Sequence, residues 1–243
     1  MSAGDLRPYW QSADGALTVY HAPCEAVIAS VLPVSEVALV HADPPYGIDV
    51  DLDGGNARRG TANGKPSLGK VVGDREPFDP VSLLTLDRPT VLWGANNYAA
   101  RLPPSSAWFV WDKRVTMPAD DRSDCEMAWT NLGASARVFR HVWKGTVRDS
   151  ERGATIHPTQ KPIALCSFVY TRAKLKRGDL VFVPYLGSGP DLPAAQAMGL
   201  RVIACDVERW CCDTAISRLG AITADRAAEP CGPLFGAVEP VRK

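Results

Sequence analysis

Twenty-seven basic and 27 acidic side chains cancel over 243 residues, so no net charge announces a nucleic-acid partner. DNA or RNA would have to be met by local basic patches instead. The seven cysteines (Cys24, Cys125, Cys166, Cys205, Cys211, Cys212 and Cys231) are odd in number and contain no Cys-x-x-Cys spacing. That argues against a disulfide framework and a zinc site, and for a reducing compartment. A run of about 18 apolar residues, a basic-then-apolar leader and an internal repeat are all missing from the sequence. The expectation is a cytoplasmic protein with no membrane partner and no metal. The bulk is ordinary: 46% hydrophobic and 22% charged residues, in a length that suits one sizeable α/β domain with a buried core.

Against that background Asp43-Pro44-Pro45-Tyr46-Gly47 stands out, because it ends the apolar run Val37-Ala38-Leu39-Val40. The prolines lack backbone donors and fix φ, so they hold a stiff turn. Asp43 offers a carboxylate that accepts hydrogen bonds from an amino group, and Tyr46 offers a flat face on which a planar base stacks. Together they describe a socket for an exocyclic NH2 on a flat heterocycle.

Strands and helices alternate along the rest of the chain. Leu17–Tyr20, Val37–Ala42, Thr90–Trp93, Trp108–Trp111, Glu126–Trp129, Val138–Trp143, Leu180–Val183 and Val202–Cys205 read as strands. Helical spacing covers Glu25–Leu32, Pro162–Lys174, Ala194–Met198 and 208–219. The alternation predicts a doubly wound, mostly parallel sheet with helices on both faces. Between Asp51 and Arg75 the chain turns glycine-rich and basic, with Arg58, Arg59, Lys65, Lys70 and Arg75; it reads as a mobile loop.

Downstream, Val183-Pro184-Tyr185-Leu186-Gly187-Ser188-Gly189 follows a strand and precedes a helix, and Asp206 ends the next strand. Glycines let a backbone approach a ligand closely, and an acid roughly 20 residues on suits ribose hydroxyls. This pattern reads as a nucleotide-cofactor site, with a plain tight turn as the alternative. Before it lies His157-Pro158-Thr159-Gln160-Lys161-Pro162.

The three segments in this order, with Trp93-Gly94-Ala95-Asn96-Asn97-Tyr98 and Trp111-Asp112-Lys113, resemble the S-adenosylmethionine-dependent DNA amino-methyltransferases, in particular the permuted β group and its small phage-type members. The resemblance covers roughly residues 17–220. It implies a seven-stranded-type methyltransferase sheet in one domain over 1–243, with a mobile loop over 51–75 and a target-recognition region within 94–156. Asp43, Pro44, Pro45 and Tyr46 would be the catalytic turn. His157, Thr159, Gln160 and Lys161 would line the methionine end of the cofactor, Tyr185, Gly187, Ser188 and Gly189 would form its glycine loop, and Asp206 would hold the ribose. Double-stranded DNA would be the partner of a monomer or homodimer, in a bacterial or phage-infected cell and in a restriction-modification setting. Arg58, Arg59 and Lys65, with the second basic stretch Arg137, Arg140, Lys144, Arg148 and Arg152, are the candidates to face it.

The chain departs from the family on the cofactor side only. Val183 stands where the resemblance implies an acid facing the methionine ammonium, so an acid restored there is expected to strengthen cofactor binding. Pro190 replaces a Thr, and Pro193 is expected to delay the helix that follows. Adenine N6 is the expected target, because relatives acting on cytosine N4 more often carry Ser in place of Asp43. Cytosine N4 stays open, as does a DNA-binding relative with weakened cofactor affinity.

Overall fold

The computed structural model describes residues 6–49, 71–118, 123–133, 135–145, 147–151, 156–157 and 159–228. Its strands are β1 (Trp10–Gln11), β2 (Leu17–His21), β3 (Val37–Ala42), β4 (Thr90–Trp93), β5 (Trp108–Asp112), β6 (Cys125–Thr130), β7 (Arg137–Arg140), β8 (Trp143–Lys144), β9 (Val147–Arg148), β10 (Leu180–Val183) and β11 (Arg201–Asp206). The helices are α1 (Cys24–Ser30), α2 (Val81–Leu84), α3 (Ile163–Arg172), α4 (Asp191–Met198) and α5 (Arg209–Ala228).

Among the described residues nine strands join in the order β1-β2-β11-β10-β3-β4-β6-β5-β7, so the two-residue β1 and the edge strand β7 flank a seven-stranded body. The neighbours from β2 to β4 are all parallel, while β6 runs antiparallel to both β4 and β5. Period-two alternation sends successive side chains to opposite faces. Leu39, Val91, Trp93, Val181 and Val183 pack with α3, α4 and α5 on one face. Val40, Leu92 and Phe182 pack with α1 and α2 on the other. Both faces are therefore covered, which is why β3 and β10 are buried nearly throughout.

Two sequence expectations need correction. The stretch Val138–Trp143 is not one strand. His141 N–H donates to the Asp112 carbonyl at 3.1 Å and Trp143 N–H to the Lys113 carbonyl at 2.9 Å, but Val142 N–H turns to Asp149 Oδ2 at 2.7 Å, and the chain enters the β8–β9 hairpin. Nor does Pro193 delay its helix: α4 begins at Asp191 behind Pro190. Pro193 falls within the first turn, where backbone N–H groups have no intrahelical acceptor, so its missing donor removes no bond.

Strand order decides where the site lies. β3 and β10 are neighbours, with Phe182 beside Val40. The Asp43 turn and the glycine loop thus emerge side by side at the carboxyl ends of parallel strands, the place where open α/β sheets bind ligands.

Candidate active site

A cleft of about 700 Å³ opens over these strand ends, with Asp43, Tyr46, Gln160, Lys161, Gly187 and Asp206 in its wall. That volume is within the range of small-molecule sites.

At one end lies the Asp43 turn. Tyr46 donates its hydroxyl to Asp43 Oδ1 at 2.6 Å, and its ring lies against Gly94. A Cβ at Gly94 would fall 2.0 Å from a Tyr46 ring carbon, and the φ there is +67°, so only glycine fits beneath the ring. Asp74 fixes the turn from behind, its Oδ1 accepting the Gly47 N–H at 2.7 Å.

Lys161, expected to line the methionine end of the cofactor, has its ammonium at this turn. Its ammonium pairs with Asp43 Oδ2 and lies 3.2 Å from both Glu126 Oε2 and the Tyr46 hydroxyl. Glu126 in turn accepts from Lys113 Nζ at 3.1 Å. Burial would lower the Lys161 pKa, but the charges of Asp43 and Glu126 raise it above the usual ammonium range. Burial would likewise raise Glu126, yet Lys161 and Lys113 hold it below the usual carboxylate value. Tyr46 is pushed well up, first by burial and then by Asp43 and Glu126, and stays a phenol donor.

At the other end the glycine loop turns onto Asp206. Asp206 Oδ2 accepts the Gly187 N–H at 2.8 Å, and Oδ1 accepts the Glu208 N–H at 2.9 Å. Burial raises its pKa. A Cβ on Gly187 would meet nothing within 4 Å, so that backbone stands open to the cleft. His157 stacks on Trp210 with ring centroids 4.7 Å apart; burial, followed by Lys161 and Arg218, lowers its pKa to about 4 and keeps it neutral. Thr159 caps the same ring through its N–H to Nδ1 at 3.2 Å. The Gln160 carbonyl accepts from Trp143 Nε1 at 2.9 Å. Tyr185 turns toward the second core, edge-on to Phe78. Ser188 is buried, its carbonyl and hydroxyl both accepting from Arg218.

Several functional neighbours escaped the sequence. Arg218 of α5 also pairs with Glu151 and donates to the Lys161 carbonyl at 2.9 Å; it thereby ties the glycine loop to the loop before α3. Asp191 accepts from His41 Nδ1 at 2.6 Å and from Tyr170 at 2.5 Å. Trp93 Nε1 donates to His41 Nε2 at 2.9 Å. His41, Cys166 and Asp191 approach closely enough to hold an ion, but both ring nitrogens of His41 are already engaged. One register step beyond the Phe182–Val40 pair puts Val183 beside His41. The Asp191 carboxylate therefore lies next to the space that an acid at position 183 would enter, and Val183 itself is 1% exposed.

On the expected DNA-facing side, Arg137 and Arg140 are exposed on the edge strand β7, and Lys144 is half-buried on β8. Arg148 is a correction: it is buried, its guanidinium 4.2 Å from the Trp143 ring centroid and its Nε donating to the Gly145 carbonyl at 2.8 Å. It pins the hairpin rather than presenting a charge to solvent. Arg58, Arg59, Lys65, Arg152 and Pro158 lie outside the described residues, as does most of the expected 51–75 loop. No helix among the described residues is long and apolar enough to cross a membrane.

A parallel sheet of this kind, with an acid-proline turn beside a glycine loop and a strand-end acid, defines a methyltransferase fold. A family model described as DNA methylase, of the N6/N4 methyltransferases, matches residues 87–217, and the chain belongs to that family. A curated relative, the type II methyltransferase M2.DpnII of Streptococcus pneumoniae, is 36% identical over 86 residues, which span 35% of this chain and 32% of that protein. Among solved structures, the cytosine-N4-specific PvuII DNA methyltransferase is similar at 12% identity with a TM-score of 0.59, covering 88% of this chain and 89% of its own. The M1.HpyAVI–SAM complex is similar at 19% identity with a TM-score of 0.48, covering 84% of this chain and 100% of its own. Enzymes of this family draw their methyl group from S-adenosylmethionine. The donor set here fits such a group: an open glycine backbone at Gly187, a strand-end carboxylate at Asp206 and a cleft of about 700 Å³.

Proposed function

We propose that the protein is a DNA methyltransferase acting on the exocyclic N6 amino group of adenine in double-stranded DNA. The observation that carries this reading is the meeting of Asp43 and the glycine loop at the ends of neighbouring strands, in one cleft. When bound, S-adenosylmethionine supplies an electrophilic methyl group on a sulfonium. Gly187, Ser188, Gly189 and Asp206 would hold it, with His157, Thr159, Gln160 and Tyr185 around it.

Asp43 and the Pro44 carbonyl accept the two N–H bonds of the target amino group. An aromatic amine is a poor nucleophile because its lone pair is delocalised into the ring. Two acceptors placed out of the ring plane favour a pyramidal nitrogen and aim its lone pair at the methyl group. A bound donor would supply the methyl group, and Asp43 would take the one proton that the amino nitrogen sheds on becoming a methylamine. The base must leave the duplex stack first, at a cost of a few kcal/mol, and Tyr46 offers a ring against which it rests. Arg137, Arg140 and Lys144 face the phosphates.

Adenine is favoured over cytosine by the carboxylate at position 43. The test is a digest of duplex DNA incubated with the purified protein and labelled S-adenosylmethionine. Label in N6-methyladenine is expected. Label in N4-methylcytosine would move the target to cytosine, and no label in either would end the reading.

A further inference from the structure

The charges around the turn exceed what the turn itself needs. On the proposed reading, Asp43 must accept from the incoming amino group and then take its proton, yet in this structure the Lys161 ammonium already occupies Asp43 Oδ2. The same ammonium has a second acid within reach, Glu126 Oε2 at 3.2 Å. Glu126 comes from a different part of the sheet: β6 runs antiparallel to its neighbours and sets Glu126 opposite Trp111. Lys113, just past the end of β5, holds its other oxygen at 3.1 Å.

Asp43, Glu126, Lys113 and Lys161 therefore form a neutral cluster in which one lysine is shared between the two carboxylates and the other pairs with Glu126. An ammonium carries three donors on a flexible stem, so it can move between neighbouring acceptors without losing its charge pairing. A carboxylate paired to an ammonium is a weaker proton acceptor than a free one.

We propose that Glu126 is a positioning residue that draws Lys161 off Asp43 as the target base enters, leaving Asp43 free for the amino group. This inference rests on the DNA-methylase reading. It gives Lys161 the role of a latch on the catalytic carboxylate and Glu126 that of its alternative seat. With the latch on Glu126, both lysines sit on that carboxylate, and Asp43 keeps the Tyr46 hydroxyl on Oδ1 while Oδ2 turns to the incoming amino group.

The experiment is a single-turnover methyl-transfer cycle on the full chain, with S-adenosylmethionine and duplex DNA, for wild type, Glu126→Gln, Lys161→Met and the double variant. Glu126→Gln keeps the side chain's size but removes the competing charge, so the rate is expected to fall about tenfold. Its affinity for S-adenosylmethionine, read by calorimetry, is expected to stay within about twofold of wild type because the cofactor end is untouched. Lys161→Met is expected to retain measurable transfer, and adding Glu126→Gln to it is expected to cost nothing further. Glu126→Asp, which keeps the charge, should recover part of the rate and guards against a loss due to folding alone.

A Glu126→Gln rate equal to wild type overturns the proposal, as does the same loss in both Lys161 backgrounds or a Lys161→Met that transfers no methyl group. A wild-type protein that transfers no methyl group to DNA would instead defeat the underlying reading, so the two failures are distinguishable.

Discussion

At the Asp43 end of the cleft Asp43, Tyr46, Lys113, Glu126 and Lys161 touch one another through their side chains. At the glycine-loop end the polar groups hold the protein's own loops: Asp206 binds two backbone N–H groups, and Ser188 is held by Arg218. The first end is a set of charges that can exchange partners; the second is a frame whose hydrogen bonds are committed. A group that must handle a proton needs neighbours that can move, whereas a binding cradle gains from rigidity, which lowers the entropy lost when a ligand docks.

The sharpest way to break this contrast is Asp43→Ala. Removing the carboxylate takes away both an amino-group acceptor and the proton acceptor, so turnover is expected to fall by about 10³-fold or more. Methyl incorporation into DNA measures it, and near-wild-type turnover would remove Asp43 from the chemistry. The frame responds differently. Arg218→Met leaves Glu151, Ser188 and the Lys161 carbonyl without their shared donor, and a loss of about 3 kcal/mol in denaturant unfolding is expected.

Val183→Asp tests the frame from inside. The sequence led to the expectation that an acid here would strengthen cofactor binding. With Val183 buried beside His41, and Asp191 already bonded to that ring, a second carboxylate would instead be desolvated next to the first. We expect about 3 kcal/mol of lost stability and no gain in affinity on calorimetric titration; a tighter complex would show that the cleft lacks an acid after all.

The smallest effect is one of pH. His157 is held at about 4 in the fold against 6.5 for the free side chain. Its folded pKa lies below the unfolded one, so the unfolded chain binds the extra proton between these values. Stability is full above pH 6.5, falls as the pH drops toward 4, and changes no further below that through this group. Between pH 7 and pH 5 the loss is about 2 kcal/mol. His157→Gln should flatten that part of the profile in chemical denaturation; an unchanged slope would assign it to other groups.

What the sequence disclosed follows from where each signal lies along the chain. The Asp43 turn is contiguous with its strand, and Asp206 follows the glycine loop at one strand–helix–strand spacing, so local pattern suffices for both. Glu126 reaches the cleft from β6 and Arg218 braces the glycine loop from α5, and nothing in an alternating strand or an amphipathic helix says which polar residue will meet a loop far away in sequence. Lys161 was legible as a motif residue, but its pairing with Asp43 and Glu126 was not, since its long stem can carry the ammonium to any of several acceptors. Arg148 looked like a surface charge because it lies in a basic stretch of the sequence, and only the fold of the hairpin turns it onto Trp143.

The most direct test of two separable ends is calorimetric titration of S-adenosylmethionine into wild type, Asp43→Ala and Asp206→Ala. The account predicts that Asp43→Ala binds within about twofold of wild type, and that Asp206→Ala, which frees the Gly187 and Glu208 amides and removes the strand-end carboxylate, binds at least about tenfold more weakly. Equal losses in the two variants, or a loss confined to Asp43→Ala, would contradict it.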